Sequence, residues 1–114
     1  MLNAFFATIK KIAFYMTGDL GSYSGVGTTA TSTDLTAVGA ANITPTVSFN
    51  DTGGSPEYKI AAGAWTSISG GAVAITNGQT LTVRISSMIA SGEAEIIIYG
   101  PLGEVIDSYY VTKL

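Results

Sequence analysis

The 114-residue chain contains no cysteine and no histidine. Without cysteine there are no disulfides and no thiolate nucleophiles, and without histidine there is no imidazole for general-base or zinc chemistry. Charged residues are also scarce, at 11% of the chain against roughly 25% in an average soluble domain. We therefore predict no catalytic residues, no cofactor and no metal site, and a protein that is not an enzyme.

The composition is apolar for a chain of this size. Hydrophobic residues make up 46% of it and the mean hydropathy is +0.39. A small domain has much surface for its volume and usually covers that surface with charge. We therefore predict a homo-oligomer or a lattice subunit, part of whose surface is covered by other proteins. The net charge of −3 and the scattered basic residues predict no nucleic-acid partner, because phosphate binding needs clustered cations.

The first sixteen residues carry apolar side chains at steps of three and four. This spacing predicts a short amphipathic helix that docks on another protein. A helix packed on its own domain is the alternative, and a membrane-surface helix with Lys10 and Lys11 on its polar face is the least favoured one. The predicted docking residues of this helix are Leu2, Phe5, Phe6, Ile9, Ile12 and Met16.

Residues 17–33 are rich in Gly, Ser and Thr and almost lack large apolar side chains. Such a composition is typical of an extended linker. We therefore divide the chain into residues 1–33, a helix followed by an arm, and residues 34–114, a folded domain.

From residue 34 onward, apolar and polar side chains alternate with a period of two, and turn signals such as Asn77-Gly78 separate the segments. This pattern predicts six or seven short strands in an antiparallel β-sandwich. The predicted core comprises Val47, Phe49, Tyr58, Ile60, Trp65, Val73, Leu81, Val83, Ile85, Ile96, Ile98 and Val111.

Residues 35–87 resemble the immunoglobulin-like repeat of bacterial surface proteins and tailed-phage virion proteins. The matching motifs, in order, are Glu57-Tyr58-Lys59-Ile60, Gly63-Ala64-Trp65-Thr66, Asn77-Gly78, Val83-Arg84 and Ser86-Ser87. The resemblance implies an immunoglobulin-like sandwich used for display or scaffolding rather than catalysis.

Combined with the low charge and the apolar N-terminus, this resemblance predicts a virion structural protein. We expect a phage capsid decoration or cement protein, located in the virion and held through its N-terminal arm to the major capsid protein or another virion protein. Ile97 and Tyr99 are further candidates for the partner-binding surface.

Two alternatives remain open. The first is an adhesive or carbohydrate-binding module or a filament subunit at the cell surface, in which exposed aromatic rings bind sugars; the candidate rings are Trp65, Tyr99, Tyr109 and Tyr110. The second and weaker one is an aspartic protease, because Asp51-Thr52-Gly53 spells the short signature of that class. The same residues are also ordinary turn formers.

Overall fold

The computed structural model describes residues 14–114, which form eleven β-strands and no helix. The strands are, in chain order, β1 (Tyr15–Gly18), β2 (Ser22–Gly25), β3 (Ala30–Thr31), β4 (Leu35–Val38), β5 (Ala41–Asn50), β6 (Ser55–Ile60), β7 (Thr66–Ser67), β8 (Val73–Ile75), β9 (Thr80–Ser86), β10 (Gly92–Tyr99) and β11 (Val105–Lys113). No stretch within these residues is a helix long and apolar enough to cross a membrane.

The strands form two sheets. The first has the order β1-β4-β9-β6-β7, with the short β3 also paired to β9, and the second has the order β2-β11-β10-β5-β8. All pairs are antiparallel except β2 with β11, which run parallel. The prediction of an all-β fold with two sheets is confirmed, but one strand pair is parallel and residues 34–114 form eight strands rather than six or seven.

Alternation along β9 and β10 places the core between the sheets. Leu81, Val83 and Ile85 of β9 are completely buried, as are Ile96 and Ile98 of β10. Because successive side chains of a strand point to opposite faces, the residues between them face outward. Of the predicted core residues, those that are fully buried are Leu81, Val83, Ile85, Ile96, Ile98 and Val111, and those that pack against the core while half-buried are Tyr58, Ile60 and Val73.

Two predicted core residues lie on the outside of the sandwich instead. Phe49 pairs with Glu95 rather than with an inward residue, because a bulge at Ser48 shifts the register of β5 against β10 by one residue. Trp65 directly precedes β7 and lies under the cations of Lys59 and Arg84 on the outer face of the first sheet. Val47, before the bulge, is half-buried opposite Ile96.

The prediction of an arm over residues 17–33 is wrong for the structure. This segment contributes β2 to the second sheet and β3 to the first, and Leu20, between β1 and β2, is 1% exposed. The backbone N–H of Leu20 donates to the Asp107 carboxylate at 2.9 Å. Residues 15–33 therefore belong to the folded domain, and the domain boundary predicted at residue 33 does not exist there.

The glycines of this segment pack rather than loosen it. Tyr23 of β2 packs against the core, and its hydroxyl accepts a hydrogen bond from the Gly27 N–H at 2.9 Å. A Cβ atom at Gly25 or Gly27 would lie only 2.7 Å from that hydroxyl oxygen. A composition typical of a flexible linker thus reflects a backbone that wraps closely around one tyrosine ring.

The predicted N-terminal helix, including Leu2, Phe5, Phe6, Ile9 and Ile12, lies outside the described residues. The chain enters the domain at β1, an edge strand of the first sheet, where Tyr15 pairs with Val38. Gly78 of the neighbouring turn donates its N–H to the Ala37 carbonyl at 2.8 Å. We call this end of the sandwich the base.

Candidate interaction surfaces

The end of the sandwich opposite the base exposes three aliphatic side chains. Val26 is 76% exposed, Ile89 82% and Leu114 62%. Val26 follows β2, Ile89 lies between β9 and β10, and Leu114 follows β11, and all four strands run to or from this end. We call Val26, Ile89 and Leu114 the apolar tip.

Backbone hydrogen bonds hold the loops of the apolar tip in place. The N–H of Met88 donates to the Thr28 carbonyl at 2.8 Å, and that of Leu114 to the Gly25 carbonyl at 2.8 Å. Both Ile89 and Ala90 donate to the carbonyl of Thr52. Met88 itself is 2% exposed and serves as a buried anchor for the loop that exposes Ile89.

The turn beneath Ile89 is also rigid. Thr52 is fully buried. Its N–H donates to the Asn50 carboxamide oxygen at 3.1 Å, and its hydroxyl donates to the same oxygen at 2.7 Å. The Asn50 amide group in turn donates to the Gly54 carbonyl at 2.8 Å. Asp51 is exposed on this turn, so the protease-like triplet forms a structural Asx turn at the tip.

The backbone of the 87–91 loop is strained. Ser87 has φ of 57°, a left-handed conformation that costs a non-glycine residue about 1 kcal/mol. The loop accepts this conformation while it buries Met88 and leaves Ile89 in water. A preorganised apolar side chain of this kind suits a binding surface, because little entropy is lost when a partner covers it.

A second surface lies on the outer face of the first sheet. The Arg84 guanidinium carbon lies 4.1 Å and the Lys59 ammonium nitrogen 5.0 Å from the centroid of the Trp65 ring. The Nε of Arg84 also donates to the Glu57 carboxylate at 2.9 Å. We call Glu57, Lys59, Trp65 and Arg84 the tryptophan face.

Strand register explains why Glu57, Lys59 and Arg84 meet. Glu57 pairs with Arg84 across β6 and β9, and Lys59 lies two residues along β6 on the same side. The Ser86 hydroxyl donates to the Glu57 carboxylate at 2.7 Å. This hydrogen bond lowers the pKa of Glu57, partial burial opposes it, and the hydrogen bond and charge of Arg84 lower the pKa further.

A third surface lies on the outer face of the second sheet. Phe49, Glu95 and Tyr110 are neighbours across β5, β10 and β11, and the Phe49 and Tyr110 rings form an edge-to-face pair with centroids 5.9 Å apart. Glu93 lies two residues from Glu95 on the same side of β10. Ile97 and Tyr99 continue the row, both half-buried. We call these six residues, Phe49, Glu93, Glu95, Ile97, Tyr99 and Tyr110, the acidic face.

Negative charge on the acidic face acts on the Tyr110 hydroxyl. A hydrogen bond to Glu93 raises the pKa of Tyr110, followed by desolvation and by the charges of Glu93, Glu95 and Asp51. No described cation belongs to this face, since Lys59 and Arg84 are on the other sheet and Lys113 donates to the Val26 carbonyl at 3.2 Å.

The predicted partner-binding residues divide into three groups. Leu2, Phe5, Phe6, Ile9 and Ile12 lie outside the described residues. Met16 pairs with Ala37 on the inner side of β1 and packs against the core, so its own domain covers it. Ile97 and Tyr99 lie together on the acidic face.

Only some of the candidate sugar-binding rings are exposed to solvent. Tyr109 is 1% exposed whereas the adjacent Tyr110 is 36% exposed, because neighbours on a strand point to opposite faces. The Trp65 ring is covered by two cations of its own chain. Sequence reasoning missed the apolar tip altogether, although the large apolar pair Met88-Ile89 between polar residues is a detectable signal.

Comparison with known proteins finds likeness to solved structures alone. No family model and no curated protein matches the chain. A solved structure of a family 123 glycoside hydrolase from Clostridium perfringens is similar over 96% of this chain and 24% of that chain, with 13% sequence identity and a TM-score of 0.46. The chain therefore spans about a quarter of that protein, and the likeness assigns neither a family nor an activity to it.

Proposed function

We propose that this protein is a non-enzymatic structural subunit of a virion, with an immunoglobulin-like sandwich that decorates or cements a phage capsid. The observation that carries the proposal is the apolar tip, where hydrogen-bonded loops hold Val26, Ile89 and Leu114 in solvent. Large apolar side chains that the domain does not cover itself are typical of surfaces that another protein covers.

The positions of the two apolar ends support a bridging role. Thr17 of β1 pairs with Thr36 of β4, and Thr36 pairs with Thr80 of β9, so Thr17 and Thr80 lie at the same height in the first sheet. Tyr15 lies two residues from that height towards the base. Ser86 of β9 lies six residues from it towards the tip. At about 3.3 Å per residue, the base and the tip are about 26 Å apart.

The apolar N-terminal residues join the domain at the base. The predicted docking residues Leu2, Phe5, Phe6, Ile9 and Ile12 therefore precede the strand that begins at the end opposite the tip. One copy thus has an apolar sequence at one end of the domain and the apolar tip at the other, which is the arrangement needed to connect two neighbouring shell subunits.

The experiment tests whether the chain is part of the particle and is held through its N-terminus. Phage particles that lack the native copy are supplied with wild-type chain, with Phe5→Asp or with Asn3→Asp, and the chain retained on purified particles is measured by mass spectrometry. Each substitution adds one negative charge, but only Phe5 belongs to the apolar stripe. We expect wild type and Asn3→Asp to be retained and Phe5→Asp to be lost.

Two results would overturn the proposal. One is the absence of the wild-type chain from every particle, and the other is equal retention of Phe5→Asp and wild type. Deletion of residues 1–13 gives a further variant, which we expect to fold and to fail in retention. This deletion ends before β1, whereas a deletion of residues 1–16 would remove Tyr15 and Met16 from that strand.

A carbohydrate-binding module remains the second candidate, because the ring of Tyr110 is partly exposed next to carboxylates that accept hydrogen bonds from sugar hydroxyls. Tyr15 is another exposed tyrosine, on the edge strand β1 of the first sheet. Glycan-array binding that disappears in Tyr110→Ala and persists in Tyr15→Ala would favour this candidate.

A further inference from the structure

We infer that the tryptophan face of one copy binds the acidic face of a second copy of this chain. The inference goes beyond the proposed attachment to a shell, since none of the residues involved belongs to residues 1–13 or to the apolar tip. It concerns how copies contact each other side by side.

The first argument is the distribution of charge over the two sheets. Lys59 and Arg84 both project from the outer side of the first sheet. Glu93 and Glu95 project from the outer side of the second sheet, and Asp51 adjoins this row because its N–H donates to the Glu93 carbonyl at 2.8 Å. Within the described part of the chain, Arg84 is paired with Glu57 whereas Lys59 forms no ion pair. Lys59 is therefore available to a carboxylate from outside.

The second argument is that the two faces cannot meet within one copy. They lie on opposite sides of the core, which is filled by completely buried residues such as Val83 and Ile96. Opposite charges held apart on a rigid domain are complementary only to those of another molecule. A second copy carries both faces and so provides the complement of each.

The third argument is the presence of aromatic rings among these charges. Trp65 lies under both cations of its face, and Phe49 and Tyr110 pair with Glu95 from the two neighbouring strands on the other face. Aromatic residues and arginine are enriched at the centre of protein interfaces, because they provide apolar area together with a polar group.

A contact between two different faces is heterologous and repeats from copy to copy. Such contacts produce a ring when the rotation closes and an open row when it does not. The charge pairs lie at the surface, where ions screen them within about 8 Å at physiological salt. We therefore expect an association that depends on protein concentration and weakens as salt is added.

The test uses charge reversal in the full chain, followed by analytical ultracentrifugation over a range of concentrations. We expect Lys59→Glu and Glu95→Lys each to weaken self-association by about tenfold or more. The double variant K59E/E95K should recover it, since its reversed faces are again complementary. Trp65 is the only tryptophan, so its fluorescence reports directly on whether the tryptophan face becomes covered.

Mixing the two single variants gives the sharpest result. The intact acidic face of Lys59→Glu fits the intact tryptophan face of Glu95→Lys, and the two altered faces fit each other as they do in K59E/E95K. We expect an equimolar mixture to recover association, with the two variants alternating, although each variant alone associates only weakly. Recovered association also shows that both variants are folded.

Matched controls place the same charge changes elsewhere. Lys113→Glu at the tip and Glu104→Lys at the base reverse charges away from both faces, and we expect both to associate like wild type. The inference is wrong if the wild-type chain is monomeric at every concentration, if the single variants associate like wild type, or if K59E/E95K does not recover. Its failure would leave the attachment through residues 1–13 unaffected.

Discussion

Arg84 covers the ring of Trp65, with its guanidinium carbon 4.1 Å from the ring centroid. The same guanidinium donates to Glu57 at 2.9 Å, so one side chain joins an aromatic ring and a carboxylate across β6 and β9. A cation over a partly exposed indole contributes about 0.5–1 kcal/mol, and a half-buried surface ion pair about 0–1 kcal/mol.

We therefore expect Arg84→Met to lower the free energy of unfolding by about 1 kcal/mol. Methionine keeps much of the apolar contact with Trp65 but removes the charge. Urea unfolding followed by Trp65 fluorescence measures the change, with Lys113→Met as the control that removes a cation from the tip. An equal loss in both variants would show that the position over Trp65 has no special role.

Glu57 makes the stability of the domain depend on acid pH. The Ser86 hydrogen bond and the Arg84 interactions lower its pKa in the folded state below 4.5. Stability contributed by Glu57 is thus fully present above pH 4.5, the value in the unfolded chain, and is lost as the pH falls through the lower folded-state pKa. We expect Glu57→Gln to lose less stability than wild type between neutral pH and strongly acidic pH.

Thermal unfolding over a pH series measures this difference, with Glu104→Gln as a control for removal of an acidic residue at an exposed turn. Parallel curves for wild type and Glu57→Gln would contradict the assignment.

The alternation of apolar and polar residues predicted which side chains are buried at the centre of the sandwich better than at its edges. Leu81, Val83 and Ile85 alternate with polar residues over a whole strand, so their burial was visible in the sequence. The outward position of Phe49 was not visible in the sequence. One bulged residue reverses which side chains of β5 face the core, and the sequence carries no signal for the bulge as strong as the alternation of apolar and polar residues.

Residues 17–33 were mispredicted for a different reason. Glycine-rich composition predicts flexibility, but the same glycines are required where backbone approaches the Tyr23 ring. Only tertiary contacts distinguish the two cases. The tryptophan and acidic faces also depend on which strands become neighbours, and pairings such as β6 with β9 join residues 27 positions apart.

Met88 and Ile89 are neighbours in sequence with opposite environments, since Met88 is 2% exposed and Ile89 is 82% exposed. Truncation of a buried methionine to alanine costs about 2–5 kcal/mol, whereas substitution of an exposed aliphatic residue changes stability by about 0.5 kcal/mol or less. We expect Met88→Ala to be strongly destabilised and Ile89→Ser to unfold like wild type.

The same pair distinguishes stability from binding. Ile89→Ser removes apolar surface from the tip without loosening the loop, so we expect a normal unfolding midpoint together with weaker retention on particles. Strong destabilisation of Ile89→Ser would mean that Ile89 stabilises its own domain rather than a contact with another protein.

Tyr109 and Tyr110 respond differently to alkaline pH. Burial raises the pKa of Tyr109 to about 12, with a further contribution from the nearby Tyr23, against 10.0 for an unperturbed tyrosine. The neutral hydroxyl is thus favoured in the folded state, while the unfolded chain releases this proton near pH 10. Stability linked to Tyr109 is complete below pH 10 and falls as the pH rises from 10 towards 12.

We expect Tyr109→Phe to lose less stability than wild type between pH 10 and pH 12, as measured by urea unfolding at each pH. The control Tyr110→Phe keeps the Tyr109 hydroxyl, so we expect it still to show the loss of stability that this hydroxyl causes. Equal pH slopes for wild type and Tyr109→Phe would show that the hydroxyl of Tyr109 is in contact with solvent.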